Sequence, residues 1–168
     1  MVSAEEPRIV HKDDELLVLF KPPGLPTTAP DAGDCLVSRA LRLDPQAPRL
    51  HPSSRLDAEV SGLVTFARTK RATHVLLRAR QEGRYRRRYM GLTLNGLSDE
   101  PGHGVWEGSI GIDPADPRRR LADAGRGQKE AATDFVVGVS AGPGSLLHLW
   151  PRTGRTHQLR VHAAAAGA

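Results

Sequence analysis

The stretch "HPSSRLDAEVSGLVTFARTK" (residues 51–70) contains three kinds of chain. His51 to Val60 is rich in turn formers. Gly62 to Ala67 is a short apolar run that reads as a buried strand. From Thr69 the apolar residues follow a helical period as far as Gly83, which supplies a stop. Asp57 stands in the turn-rich part, two residues after Arg55 and just ahead of the strand. Two readings fit it. Asp and Ser favour turns, so Asp57 can be a solvated turn residue or a cap. It can also be a nucleophile or base in a cleft. The stretch by itself leaves both open.

Working outward, "IVHKDDELLVLFKPPGLPTTAP" reads as two short strands around an acidic turn. Leu16 to Phe20 is the second strand, ended by Pro22 and Pro23. Residues 35–43 carry apolar side chains at helical spacing, and residues 44–57 read as irregular. In the helix over 69–83, Ala72, Val75, Leu76 and Ala79 mark the expected buried stripe. "RYRRRYMGLTL" (84–94) reads as one strand with a basic first half. "GVWEGSIGI" is a further strand, and residues 113–130 read as a long polar loop. "AATDFVVGVS" and "SLLHLWP" are the arms of a hairpin across "AGPG". The end, from Arg155, starts as a helix. Strands dominate and several are joined by short turns. The expected fold is therefore α+β, a mixed, largely antiparallel sheet with flanking helices.

Composition narrows the function. A chain of 168 residues can bury one real core. Its single cysteine, Cys35, rules out an intramolecular disulfide and suits a reducing compartment. No apolar stretch approaches the ~20 residues of a membrane span, and the first ten residues lack the shape of a signal peptide. The net charge is +5, supplied mostly by arginine. Arginine favours a polyanionic partner, although Arg-, Ala-, Gly- and Pro-rich composition also follows from GC-rich coding. The seven histidines include no pair at metal-binding spacing, and His157 and His162 are five apart. No phosphate-cradling glycine loop or nucleophile elbow is present. Asp57 and Glu59 as the paired carboxylates of a glycosidase are a poor fit, because two residues on one strand edge do not straddle a sugar. Two arginine-bearing stretches remain. "RYRRRY" (84–89) is either a charged edge strand or an RNA surface. "RTGRTHQLRVH" (152–162) is either an amphipathic surface helix or an anion-binding helix start.

Taken together, "RLDAEVSGLVTFART", "RRRYMGLT" and "RTGRTHQLRVH" resemble the RluA-type RNA pseudouridine synthases. "DDELLVLFKPPGLP" is similar to the opening strand and Lys-Pro-x-Gly loop of that family. "GSIGIDP" and "GQKEAATDFVV" are similar to its middle strands. The resemblance runs from about Arg8 to His162. It departs at Ser54, where the family usually has His, and the family usually continues well past its last motif. The expectation is one synthase catalytic domain over 1–168 lacking its C-terminal part, with no separate N-terminal RNA-binding module.

The resemblance implies a pseudouridine synthase fold with a central RNA-binding cleft. It implies isomerisation of a specific uridine in structured RNA, either rRNA or tRNA, in the cytoplasm. No cofactor, metal, membrane or obligate protein partner is expected. Asp57 becomes the catalytic carboxylate, acting by covalent attack or by taking a proton from the sugar. Arg160 becomes its ion-pair partner. Tyr89 packs against the uracil, Leu159 covers the other face of the ring, and Arg55 helps hold the flipped site open. Lys21, Arg86, Arg87, Arg88 and Arg155 are phosphate candidates on charge alone. The alternative is a catalytically weak or inactive RNA-binding module that keeps the synthase cleft.

Overall fold

Leu17 and Leu19 alternate with half-buried neighbours along one strand, the pattern of a sheet with one face packed on a core. A computed structural model of the chain describes residues 5–29, 33–47, 49–95, 97, 102–141 and 143–168, with Ser140 and Ala141 described by their backbone only. The chain divides into two compact units, one ending at Tyr85 and the other beginning at Arg86.

The first unit holds β1 (Arg8–Lys12), β2 (Leu16–Lys21), α1 (Leu36–Leu43), β3 (His51–Pro52), β4 (Gly62–Ala67) and α2 (Lys70–Gln81). Its four strands form an antiparallel sheet in the order β1-β2-β4-β3. Val64 and Phe66 of β4 join Leu17, Leu19, Leu25 and Leu36 as fully buried apolar residues. The β2–β4 register pairs Leu19 with Val64 and Lys21 with Gly62. Thr69 caps α2 by accepting from the Ala72 amide, and Cys35 caps α1 through its sulfur. Asp44, at the C-terminal end of α1, is buried. It accepts from Lys12 Nζ at 2.8 Å and Arg68 Nε at 2.8 Å, tying α1 to the edges of β1 and β4. Lys12 first and Arg68 next hold its carboxyl below the usual range.

The second unit holds β5 (Tyr89–Leu92), β6 (His103–Ile112), β7 (Arg120–Ala122), β8 (Arg126–Ala141), β9 (Gly144–Pro151) and α3 (Gln158–Ala165). Its sheet is also antiparallel, in the order β5-β9-β8-β6-β7. Phe135, Leu147, Leu149 and Leu97 form its buried cluster, with Trp106 stacked on Phe135 at 4.3 Å between ring centroids. Gln158 and His162 of α3 both reach the buried Thr133 of β8, at 2.9 and 3.0 Å.

The expected α+β class with antiparallel sheets is what the chain adopts. Four local expectations are corrected. Residues 84–88 precede β5 and are not strand, and the Arg84 and Tyr85 amides bond back to the Ala79 carbonyl of α2 at 2.8 and 3.0 Å. The expected loop over 113–130 contains β7 and the start of β8. Backbone pairing across β6, Ile110 with Ala122 and Ile112 with Arg120, makes these strands without an apolar period. Of the expected stripe of α2, Ala72 is buried and Leu76 and Ala79 are partly covered, but Val75 is exposed. Finally, α3 begins at Gln158, after His157 in a left-handed conformation, so Arg155 and Thr156 precede the helix. The 141–144 turn joins β8 and β9 as expected, and its Gly142 lies outside the described residues.

His162 supplies a test of the packing in the second unit. Burial pushes its imidazole below the ordinary 6.5, with Asp123 opposing weakly. The unfolded chain then takes up this proton at a higher pH than the folded chain. Stability from the neutral buried ring is complete above the ordinary value. It is lost as the pH falls through the lowered one. The melting temperature should drop between about pH 7.5 and about pH 5.5, and His162→Gln should drop less over that range. Equal drops in both proteins, followed by circular dichroism, would contradict this account.

Candidate active site

Asp57 lies on the loop between β3 and β4, and the chain fixes that loop from both sides. Leu56, its predecessor, is held by Thr27. The Thr27 hydroxyl donates to the Leu56 carbonyl at 2.7 Å and accepts from the Leu56 amide at 2.9 Å. Ala58, its successor, offers its carbonyl to the Gly24 amide at 2.9 Å and to Lys21 Nζ at 2.9 Å. Gly24 stands at φ +80°, a left-handed conformation that glycine takes at no steric cost. The Val60 amide closes a turn onto the Asp57 carbonyl at 3.1 Å. The backbone on either side of Asp57 is thus bonded to the "KPPGLPT" segment. Asp57 itself is half-buried, and Arg55 is exposed.

Lys21 departs from its expected role. It is fully buried at the end of β2, and its ammonium donates to the carbonyls of Pro22, Leu25 and Ala58 at 2.9, 2.6 and 2.9 Å. Three protons meet three acceptors, so the ammonium has no donor left for a phosphate. Burial lowers its pKa, and the nearby charges of Glu59 and Asp57 work against that lowering. Lys21, expected as a phosphate candidate, is instead buried with all three donors spent on backbone, one of them the carbonyl that follows Asp57.

In the second unit, Tyr89 and Leu159 are brought together. Both are partly buried and pack against the Leu97, Phe135, Leu147 and Leu149 cluster. Tyr89 opens β5 opposite Leu149. Leu159 is the second residue of α3, and its place is set by Gln158. The Gln158 carbonyl oxygen accepts from the Thr153 hydroxyl and the Arg155 amide at 2.8 and 3.0 Å. Its amide nitrogen donates to the Ala132 carbonyl and the Thr133 hydroxyl at 3.0 and 2.9 Å. The first two bonds fold the "TGRTHQL" segment on itself, and the last two hold it against β8. Arg160 follows on an exposed part of α3.

The basic segment divides by role. Arg86 and Arg88 are exposed. Arg88 lies over the Trp150 ring, 5.6 Å from its centroid, and contacts His148 Nδ1 at 3.1 Å. Arg87 is half-buried and donates to the Thr153 carbonyl at 2.5 Å, so it ties β5's approach to the end of β9. Arg155 donates through Nε to the Glu130 carbonyl at 2.8 Å. Among the described residues no group of three side chains could hold a metal ion. None of the helices is long and apolar enough to cross a membrane.

Thr27 and Gln158 were not singled out by the sequence. Gln158 lies inside a recognisable motif, but nothing marks a glutamine as the one that spends every donor and acceptor. Thr27 carries no local signal. Lys21 does carry one. The period-two row Leu17, Leu19, Lys21 points all three side chains to the same buried face.

The RNA pseudouridylate synthase family model matches residues 15–165. The ribosomal large subunit pseudouridine synthase D of Nitrosomonas europaea is 35% identical over 167 residues, covering 95% of this chain and 46% of that protein. The dual-specificity RNA pseudouridine synthase RluA of Escherichia coli K12 is 33% identical over 165 residues, covering 95% of this chain and 72% of that protein. This chain therefore spans about half the length of the first relative and nearly three quarters of the second. Among solved structures, human RNA pseudouridylate synthase domain containing 1 aligns with a TM-score of 0.76 at 28% identity. It covers 99% of this chain and 68% of the human one.

Thr27→Val tests the clamp on the Asp57 loop. The substitution keeps the shape and leaves a buried amide and carbonyl of Leu56 unpaired. The expected cost is about 2–4 kcal/mol in urea unfolding, with faster hydrogen exchange at the Leu56 amide. Unchanged stability and exchange would show that Thr27 does not hold the loop.

Proposed function

We propose that this chain, which belongs to the RNA pseudouridylate synthase family, isomerises a uridine of structured RNA to pseudouridine. The observation that carries the proposal is the clamped loop. A single carboxylate stands between two residues whose backbone is bonded to the Lys21–Thr27 segment, inside the region matched by the family. The reaction breaks the bond from the sugar C1′ to N1 of uracil, turns the ring, and joins C1′ to C5. The hydrogen on C5 is lost and N1 gains one, so nothing is oxidised. One carboxylate suffices for either candidate route, attack on the sugar or removal of a sugar proton. A uridine stacked in a helix is out of reach, so the nucleotide is flipped out before reaction.

In this reading Asp57 is the catalytic residue. Tyr89 and Leu159, which share one apolar cluster, supply the surfaces that receive the uracil ring. Arg160 supplies the supporting positive charge in the same reaction. Arg55, exposed beside Asp57, helps to keep the flipped state open. Arg86, Arg88 and Arg155 contact phosphates. The substrate class is ribosomal or transfer RNA, in keeping with the ribosomal large subunit in the name of the Nitrosomonas relative. A cytoplasmic location belongs to the same proposal.

The decisive experiment is tritium release from RNA labelled at C5 of uridine. Asp57→Asn should lower turnover by at least about 10²–10⁴-fold, the scale of losing a positioned acid–base group. It should leave RNA affinity within about threefold, because phosphate contacts supply most of the binding. An Asn variant that releases tritium at the wild-type rate would remove Asp57 from the chemistry. Tyr89→Phe should keep affinity and Tyr89→Ala should lose it, by about 1–3 kcal/mol for one stacked base. Wild-type behaviour in both would make Tyr89 a packing residue only.

A further inference from the structure

We propose that a pocket in the second unit, walled by Arg120, Lys129 and Arg155, holds a phosphate group of the RNA backbone. The proposal rests on the chain acting on RNA. It adds a binding site whose lining includes neither Tyr89 nor Leu159.

The pocket has a volume of about 210 Å³ and is open to solvent. Its three cations come from three separate segments. Arg120 is on β7, Lys129 is on β8, and Arg155 is in the connection from β9 to α3. Gly111, Gly154 and Thr156 supply backbone and a hydroxyl to its lining, and no carboxylate lines it. Gly111 has to be glycine, because a Cβ there would run into the Ala124 carbonyl.

The sheet register explains the convergence. Ile112 pairs with Arg120 and Ile110 pairs with Lys129, so the two cations flank neighbouring positions of β6. Arg120 is braced by its Nη1, which donates to the Pro117 and Arg119 carbonyls at 2.8 Å each. Arg155 is braced by its Nε on the Glu130 carbonyl. Each guanidinium is anchored at one nitrogen, and among the described residues of this unit its other nitrogens make no hydrogen bond. No salt bridge joins any of the three cations to a carboxylate of this unit among the described residues.

Three like charges drawn into one concavity repel one another, and a concave wall focuses their field on whatever enters. A solvated basic rim would spread its charges outward. A phosphate resolves the repulsion and matches the planar donor fork of arginine with paired oxygens. Thr156 adds a hydroxyl donor. A phosphodiester of an RNA strand and a free phosphate share this chemistry, so the test separates them.

The protein is the full chain, with Arg120→Ala/Lys129→Ala as the pocket variant. Arg118→Ala/Arg119→Ala removes the same charge from exposed positions outside the pocket and serves as the control. The first arm titrates inorganic phosphate and follows the Gly111, Gly154 and Thr156 amides by NMR. The second measures RNA affinity against salt concentration. The expected results are phosphate-dependent shifts in the wild type that vanish in the pocket variant. RNA affinity should fall by about tenfold, and the slope of log affinity against log salt should flatten by roughly one unit more than in the control. Shifts with phosphate but equal slopes in pocket variant and control would make this a free-anion site and overturn the proposal. Absence of both effects would overturn it as well. Failure of the isomerase reading shows up separately, as no pseudouridine formed by the wild type, and the phosphate arm still reads the pocket on its own.

Discussion

The first unit depends on one buried ammonium. Lys21 sits in the row that Leu17 and Leu19 define, where an apolar side chain would ordinarily end the strand. Burying a charge is costly unless its hydrogen bonds are replaced in full. Here three carbonyls replace them, and they belong to two segments far apart in sequence, Pro22–Leu25 and Ala58. Their geometry is dictated by the demand of the ammonium. The β2 strand, the proline-rich turn after it and the loop that bears Asp57 must all be in place at once. A carbonyl missing from the set would leave a charged donor without a partner in the interior.

The second unit solves a comparable problem with a neutral group. Gln158 saturates both ends of its amide with Thr153, Arg155, Ala132 and Thr133. It brings the end of β9, the loop after it and the start of α3 to a fixed place on β8. In each unit, then, a residue proposed for the chemistry has a sequence neighbour held by polar bonding: Lys21 and Thr27 bind the backbone of Ala58 and Leu56, and Gln158 bonds two backbone groups and two hydroxyls. Ala58 and Leu56 flank Asp57, and Gln158 precedes Leu159. The energetic reason is common to both. Unpaired polar groups in a low-dielectric interior are penalised far more than the net gain of a typical bond, so saturated groups leave the local backbone little freedom.

Much of this was legible in the chain. The apolar runs of β2 and β4, the helical period from Thr69 and the Gly83 stop placed those elements closely, because burial and helix termination both leave local marks. The motif around Asp57 and the "GRTHQLR" segment pointed to the family on residue identity. The β7 strand and the start of β8 were hidden, because "RRRLADAGRGQK" pairs through backbone groups and buries no apolar row. Lys21 was misread for a different reason. Its charge was weighed and its position in the alternating row was not. Val75 shows the reverse error, an apolar residue at a helical spacing that the fold leaves facing out.

The way the Asp57 loop is held has an evolutionary side. Its anchors are the amide and carbonyl of Leu56 and the carbonyl of Ala58, groups that every residue but proline possesses. The side chains at 55, 57 and 59 make none of those bonds, and Asp57 and Glu59 act on Lys21 only through their charge. Selection can therefore rewrite what the loop presents to its surroundings while its path stays the same. A scaffold fastened through its main chain lets a lineage explore new targets without first having to re-solve how to fold.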